Sequence, residues 1–164
     1  MKGGRLLKSN LTGYATRTKS IKQERSYSMI YTEETKRKLD GILKAFEQYI
    51  DNQNYFDIVY SKKIGYVWIV ADEPGAAGAE QLDTPEAMLD NLFSDIINDV
   101  VAPRESTHLN ETHSLTESEE AECRRRIAAI LDWMEDGRAE YLEYLDKYIQ
   151  NYQNRYAGNG GGVR

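Results

Sequence analysis

The sequence predicts an α+β fold, mainly helical, on three observations. Four segments repeat apolar residues at helical spacing, two short runs are rich in β-branched and aromatic residues, and only five residues separate those runs. The predicted order is one long helix, a two-stranded antiparallel hairpin, then three amphipathic helices, or α-β-β-α-α-α. A chain of 164 residues suits about one domain with a real core. The expected division is a flexible basic arm over 1–28, a single α+β domain over 29–157 and a disordered tail over 158–164.

Residues 1–28 show neither helical nor strand periodicity, and Gly, Ser, Thr and Lys dominate them. Met29 stands just before the first patterned segment and offers an alternative initiator, which would remove the arm. Thr32 then supplies an N-cap, and Glu33 and Glu34 place acids in the first turn, where the helix dipole favours them. Leu39, Ile42, Leu43, Phe46 and Ile50 form one stripe on a helix of about five turns. The run Asp51 to Asn54 ends it.

"YFDIVY" and "YVWIV" read as two strands, joined through "SKKIG" with Gly65 in the connection. Phe56, Ile58 and Tyr60 share one face. On the partner strand Tyr66, Trp68 and Val70 alternate with Val67 and Ile69. A hairpin apolar on both faces cannot stand alone in water. Helices are expected over one face, and more helix or a second subunit over the other.

"ADEPGAAGAEQLD" reads as a loop. Thr84-Pro85-Glu86 then announces a helix, with an N-cap, a proline at the first position and an early acid. Met88, Leu89, Leu92, Phe93, Ile96, Ile97, Val100 and Val101 form its wide stripe, and Pro103 is expected to stop it. Thr116 to Glu119 fits a capping box, followed by Cys123, Ile127, Ile130, Leu131 and Met134 at helical spacing. Asp136-Gly137 is expected to turn the chain. A continuous helix through Gly137 stays open, since one glycine costs only about 1 kcal/mol. Tyr141, Leu142, Leu145, Tyr148, Ile149, Tyr152 and Tyr156 mark the last helix.

Charge is segregated. Residues 1–26 hold seven Lys/Arg against one acid, Glu24, whereas the remainder holds 14 basic and 26 acidic residues, within a net charge of −6. No apolar run is long enough to cross a membrane. No apolar segment follows the basic N-terminus, so no secretory signal is expected, and the sequon at Asn110 is expected to stay unmodified. The one cysteine, Cys123, precludes an internal disulfide and suits a reducing compartment. A cytoplasmic location is expected.

Several stretches resemble sites. "HLNETH" holds both histidines, His108 and His113, around Glu111. Zinc peptidase helices space two histidines four apart so that both point one way; five apart on a helix separates them by roughly 140°. The segment therefore reads as a solvated linker. Cys123 has Arg124, Arg125 and Arg126 beside it, which would lower a thiol pKa, but it sits on the apolar stripe and reads as buried. Gly75-Ala-Ala-Gly78 resembles the GXXG loop of KH modules, yet Asp72, Glu73 and Glu80 beside it would repel phosphate. Asp57, Asp72, Glu73 and Asp83 could gather at one end of the hairpin around a metal, which is the weakest reading. No metal and no cofactor are expected.

Two surfaces remain. The cationic arm, with Arg5, Lys8, Arg17, Lys19, Lys22 and Arg25, is the ordinary footprint of nucleic-acid backbone contact. Twelve tyrosines stand against three phenylalanines, and tyrosine is enriched where a partner half-buries a surface. Tyr66, Trp68, Tyr141, Tyr144, Tyr148 and Tyr152 are accordingly the candidate protein interface. The chain reads as a small acidic, non-catalytic interaction protein that regulates or inhibits another protein, such as a nucleic-acid-handling one, and as a homodimer. The alternative is a nucleic-acid-binding accessory protein using the arm; a metal-dependent hydrolase using the hairpin carboxylates ranks last. In composition it resembles small accessory proteins of bacterial mobile elements and phages.

Overall fold

The computed structural model describes residues 30–73, 76–105 and 114–157. Within them the chain is α+β, with four helices and a three-stranded antiparallel sheet. Helix α1 spans Glu33–Asp51 and begins where expected: the Thr32 side chain accepts from the Thr35 N–H at 3.1 Å. Its predicted stripe is the buried one, except that Leu43 is only half-buried. Strand β1, Phe56–Ser61, and strand β2, Gly65–Glu73, pair in the register that sets Tyr60 opposite Tyr66 and Asp57 opposite Ile69. The turn between them is three residues rather than five. Gly65 leaves it at φ +84°, a left-handed conformation that glycine adopts without steric cost.

The expected two-stranded hairpin is part of a three-stranded sheet. Strand β3, Ala76–Leu82, pairs with β2 from Ala76 opposite Glu73 to Leu82 opposite Tyr66. Its sequence "AAGAEQL" is poor in β-formers and has no alternation, so the loop reading had no signal against it. What makes it a strand is the free backbone edge that β2 presents.

Helix α2, Pro85–Glu105, is the central core helix, with Met88, Leu89, Leu92, Phe93, Ile96, Ile97 and Val101 buried. Each such side chain contributes about 1.5–3 kcal/mol by leaving water. Contrary to expectation, Pro103 does not end this helix, which continues through Glu105. Proline removes one backbone donor, and the last turn is held from outside: Arg104 pairs with Glu119 at 3.0 Å and donates to the Ser114 carbonyl at 3.2 Å.

Helix α3, Glu117–Leu131, opens with the expected capping box, Glu119 N–H donating to Thr116 and Thr116 N–H donating to Glu119. Helix α4, Arg138–Ala157, is separate from it. Gly137, at φ +80°, reverses the chain, so the continuous-helix alternative is excluded. Helices α1 and α2 lie on one face of the sheet, and α3 and α4 pack onto them. One apolar cluster runs from Phe56, Ile58, Tyr66, Trp68 and Leu82 of the sheet to Cys123, Ile127, Tyr141, Leu145 and Ile149 of the outer helices.

Candidate functional site

The tyrosines are placed first, because the sequence marks them as an interface. Tyr66, Trp68 and Tyr141 are buried in the core, and Trp68 stacks on Phe56 with ring centroids 4.0 Å apart. The partly buried tyrosines tie elements of the chain to one another. Tyr49 of α1 donates to Asp95 of α2 at 2.6 Å, and Tyr144 of α4 donates to Asp90 of α2 at 2.6 Å. Tyr148 reaches the Asp90 carbonyl at 3.3 Å, Tyr66 donates to Asp40, and Tyr152 packs on Tyr156. Burial, then the partner carboxylate, pushes the Tyr49, Tyr66 and Tyr144 hydroxyls above their ordinary range. Burial alone leads for Tyr141, pushed up to about 12. Three tyrosines, Tyr49, Tyr66 and Tyr144, thus keep their rings against the core and place their hydroxyls on aspartates of the same chain.

Tyr31 has a further role. Its hydroxyl accepts from the Tyr66 N–H at 2.8 Å and donates to the Leu82 carbonyl at 2.7 Å, so it completes the β2–β3 ladder where the two strands would otherwise part. The chain thus enters the folded body across the end of the sheet.

The sites with catalytic resemblance divide differently. His108, Glu111 and His113 lie outside the described residues, as do Arg5, Lys8, Arg17, Lys19, Lys22 and Arg25. The segment after the linker is pinned at Leu115, whose N–H and carbonyl both bond the Gln153 amide, at 2.9 and 3.0 Å. Cys123 is fully buried and its thiol is pushed up to about 11, mainly by burial. Such a thiol is protonated at neutral pH and closed to substrate. Asp57 is the second residue of β1, opposite Ile69, whereas Asp83 follows Leu82, which lies opposite Tyr66. These two acids stand at opposite ends of the sheet instead of gathering. Gly78 lies within β3 and is no nucleotide-clamping loop. Among the described residues no three His, Cys, Asp or Glu side chains form a metal-ligand group.

The surface that no described element covers is the other face of the sheet. Strand alternation sends Phe56, Ile58, Tyr66, Trp68 and Leu82 inward, which leaves Val59, Val67, Ile69, Ala71 and Ala79 on the outer face. Val59 and Val67 pair across strands, and Val67 in the central strand retains only 5 % exposure between Val59 and Gln81. Beside this face runs a groove of about 350 Å³, lined by the α1–β1 connection and by Ile69 and Ala71. Asp51, Asp57 and the exposed Tyr55 are among the residues that line it. At the opposite end, the turn carries exposed Lys62, Lys63 and Ile64. The outer face is therefore apolar along its middle, cationic at the turn and acidic at the groove.

A second exposed feature escaped the sequence reading altogether. Trp133, after α3, is 78 % exposed. Around it, Lys44 pairs with Glu135 at 2.7 Å, Arg37 with Asp136 at 3.0 Å, and Arg138 donates to Asp132 at 2.7 Å. These exposed pairs contribute little stability individually. No periodicity signalled this position, because it lies in a turn.

No family model matches the chain, and neither a curated protein nor a solved structure is significantly similar to it. Among the described residues no helix is long and apolar enough to cross a membrane.

Proposed function

We propose that this is a non-catalytic interaction protein that binds another protein through the outer face of its sheet. The observation that carries the reading is the apolar outer face, where Val59 and Ile69, with Ala71 and Ala79, stand around the buried Val67 and no described helix covers them. Apolar surface of this kind, rimmed by polar groups, marks sites of association. The tyrosine–aspartate ties support the same reading from the other side, since they engage Tyr49, Tyr66 and Tyr144 within the chain.

The excess of acid beyond residue 26 favours a basic partner, such as a nucleic-acid-handling protein whose cleft the acidic body would approach quickly at low salt. The test compares capture by the wild-type chain and by Val59→Lys/Ile69→Lys from host lysate, quantified by mass spectrometry. The reading expects one protein enriched by wild type and lost with the variant. Equal recovery by both chains would remove the sheet face from consideration. A homodimer through this face is the form of the reading in which the partner is a second copy, and light scattering distinguishes it.

A second reading rests on the charge segregation: residues 1–26 grip a nucleic-acid backbone. Deleting residues 1–28 is then expected to abolish salt-dependent DNA or RNA binding, and an intact chain that binds neither excludes it.

A further inference from the structure

We propose that a second copy of this chain pairs antiparallel along the outer edge of β3, two-fold symmetric about Ala79, and so continues the sheet through both copies. This goes beyond the reading of the outer face, because it concerns the edge of the sheet and is tested separately.

Three observations carry it. The first is which backbone groups the edge presents. The Ala71 N–H donates to the Tyr55 carbonyl at 2.8 Å, and the Tyr31 hydroxyl bridges Tyr66 and Leu82. Strand alternation therefore turns the backbone of Tyr66, Trp68 and Val70 toward Leu82, Glu80 and Gly78 of β3. The N–H and C=O groups of Ala77, Ala79 and Gln81 then point away from β2, and Gly78 to Gln81 are exposed. The second is the contrast between the two edges. On β1 the Asp57 carboxylate accepts from the Ile58 N–H at 2.7 Å, so a side chain already holds a donor that an added strand would need. Charge on an edge strand is a common guard against such pairing. On β3 the one charge, Glu80, accepts instead from Asn91 of α2 at 3.4 Å.

The third is self-complementarity. With Ala79 opposite Ala79 of the second copy, Ala77 meets Gln81 and Gln81 meets Ala77. Each of these pairs exchanges two backbone hydrogen bonds, about six in all. Gly78 then lies opposite Glu80 of the second copy, and a Cβ built on Gly78 would meet nothing within 4 Å, which leaves room for that side chain. An axis at Glu80 would instead set two carboxylates opposite each other, which destabilises a sheet. An axis at Gly78 would set Gln81 against residue 75, outside β3. A two-fold normal to the sheet keeps the helices of both copies on one side and joins the two outer faces. The junction is short against the roughly 20–30 residues a side of a stable interface, so a dissociation constant on the order of 10–100 µM is expected.

The experiment is sedimentation velocity on the full chain between 5 and 500 µM. The proposal expects wild type to pass from monomer to dimer over that range. Ala79→Lys and Ala79→Glu are each expected to stay monomeric, since each sets like charges opposite one another, and their equimolar mixture is expected to dimerise. A wild-type chain that is monomeric at 500 µM overturns the proposal. So does a dimer that persists in either single variant, or a mixture that stays monomeric. Assembly beyond the dimer also overturns it, because a two-fold edge closes on itself. Val59→Lys/Ile69→Lys is expected to leave the dimer intact, and its loss would assign the contact to the outer face and overturn the edge pairing. Capture of a partner by that face is read independently, from the lysate comparison.

Discussion

The Tyr31 hydroxyl occupies the space that a side chain at residue 65 would need: a Cβ built on Gly65 would overlap it. Two constraints therefore meet at Gly65, since its φ of +84° already disfavours any other residue. Left-handed backbone costs roughly 1–3 kcal/mol in a non-glycine residue, and displacing Tyr31 breaks the two hydrogen bonds it makes at the sheet end. Gly65→Ala is expected to lower stability by about 2–4 kcal/mol in urea titrations, with the m-value retained. A loss under about 0.5 kcal/mol would show that the Tyr31 bridge does not form.

Tyr31→Phe isolates the hydroxyl. It leaves the Tyr66 N–H and the Leu82 carbonyl without their bridge at a buried position, an expected cost of about 1–3 kcal/mol. Tyr144→Phe removes a hydrogen bond at a position that water reaches, so Asp90 is resolvated and the cost is expected below about 1 kcal/mol. Urea midpoints of the two variants order them, and the reverse order would contradict this account of the tyrosines.

Asp95 gives a pH dependence with a defined sign. Burial raises its pKa above the ordinary carboxylate value, Asp99 adds to the rise, and the Tyr49 hydrogen bond works against it. A raised folded-state pKa favours the protonated form, so Asp95 contributes stability below the unfolded carboxylate pKa, about 3.9. That contribution is lost as pH rises through the folded value. Asp95→Asn keeps an acceptor for Tyr49 and carries no charge. Its stability relative to wild type is expected to rise between about pH 4 and pH 7, read from urea midpoints. A relative fall over that window would mean that Tyr49 outweighs burial.

Cys123 is expected to resist alkylation. With the thiol pushed up to about 11 and fully buried, iodoacetamide at pH 8 should modify the native chain negligibly and the denaturant-unfolded chain completely. Rapid modification of folded protein would return Cys123 to the list of candidate nucleophiles.

Helices were legible in the sequence because their signals are local. Thr32 and Thr116 cap them, Pro85 opens one, and apolar spacing set the stripes of α1 and α2. Strand β3 was not, because Ala, Gly and Gln offer no alternation and its pairing depends on the remote edge of β2. Pro103 misled because the last turn of α2 is anchored by Arg104 to Ser114 and Glu119, contacts across the linker that no local pattern reveals. For the site, the doubly apolar hairpin was readable, and Val67 and Ile69 were already separated from Tyr66 and Trp68. The candidate interface of Tyr66, Trp68, Tyr141, Tyr144, Tyr148 and Tyr152 includes three buried residues, Tyr66, Trp68 and Tyr141, because composition does not say which aromatic rings enter the core.

The central claim is that the outer sheet face is not needed by the core, and neighbouring residues of β1 test it directly. Ile58 points into the core and is buried, while Val59 is 36 % exposed on the outer face. Urea titration of Ile58→Lys and Val59→Lys is the decisive measurement. A cost above about 3 kcal/mol for the first and below about 1 kcal/mol for the second is predicted from burying a charge against leaving one in water. Comparable destabilisation by both would contradict it, because Val59 would then be holding the fold together.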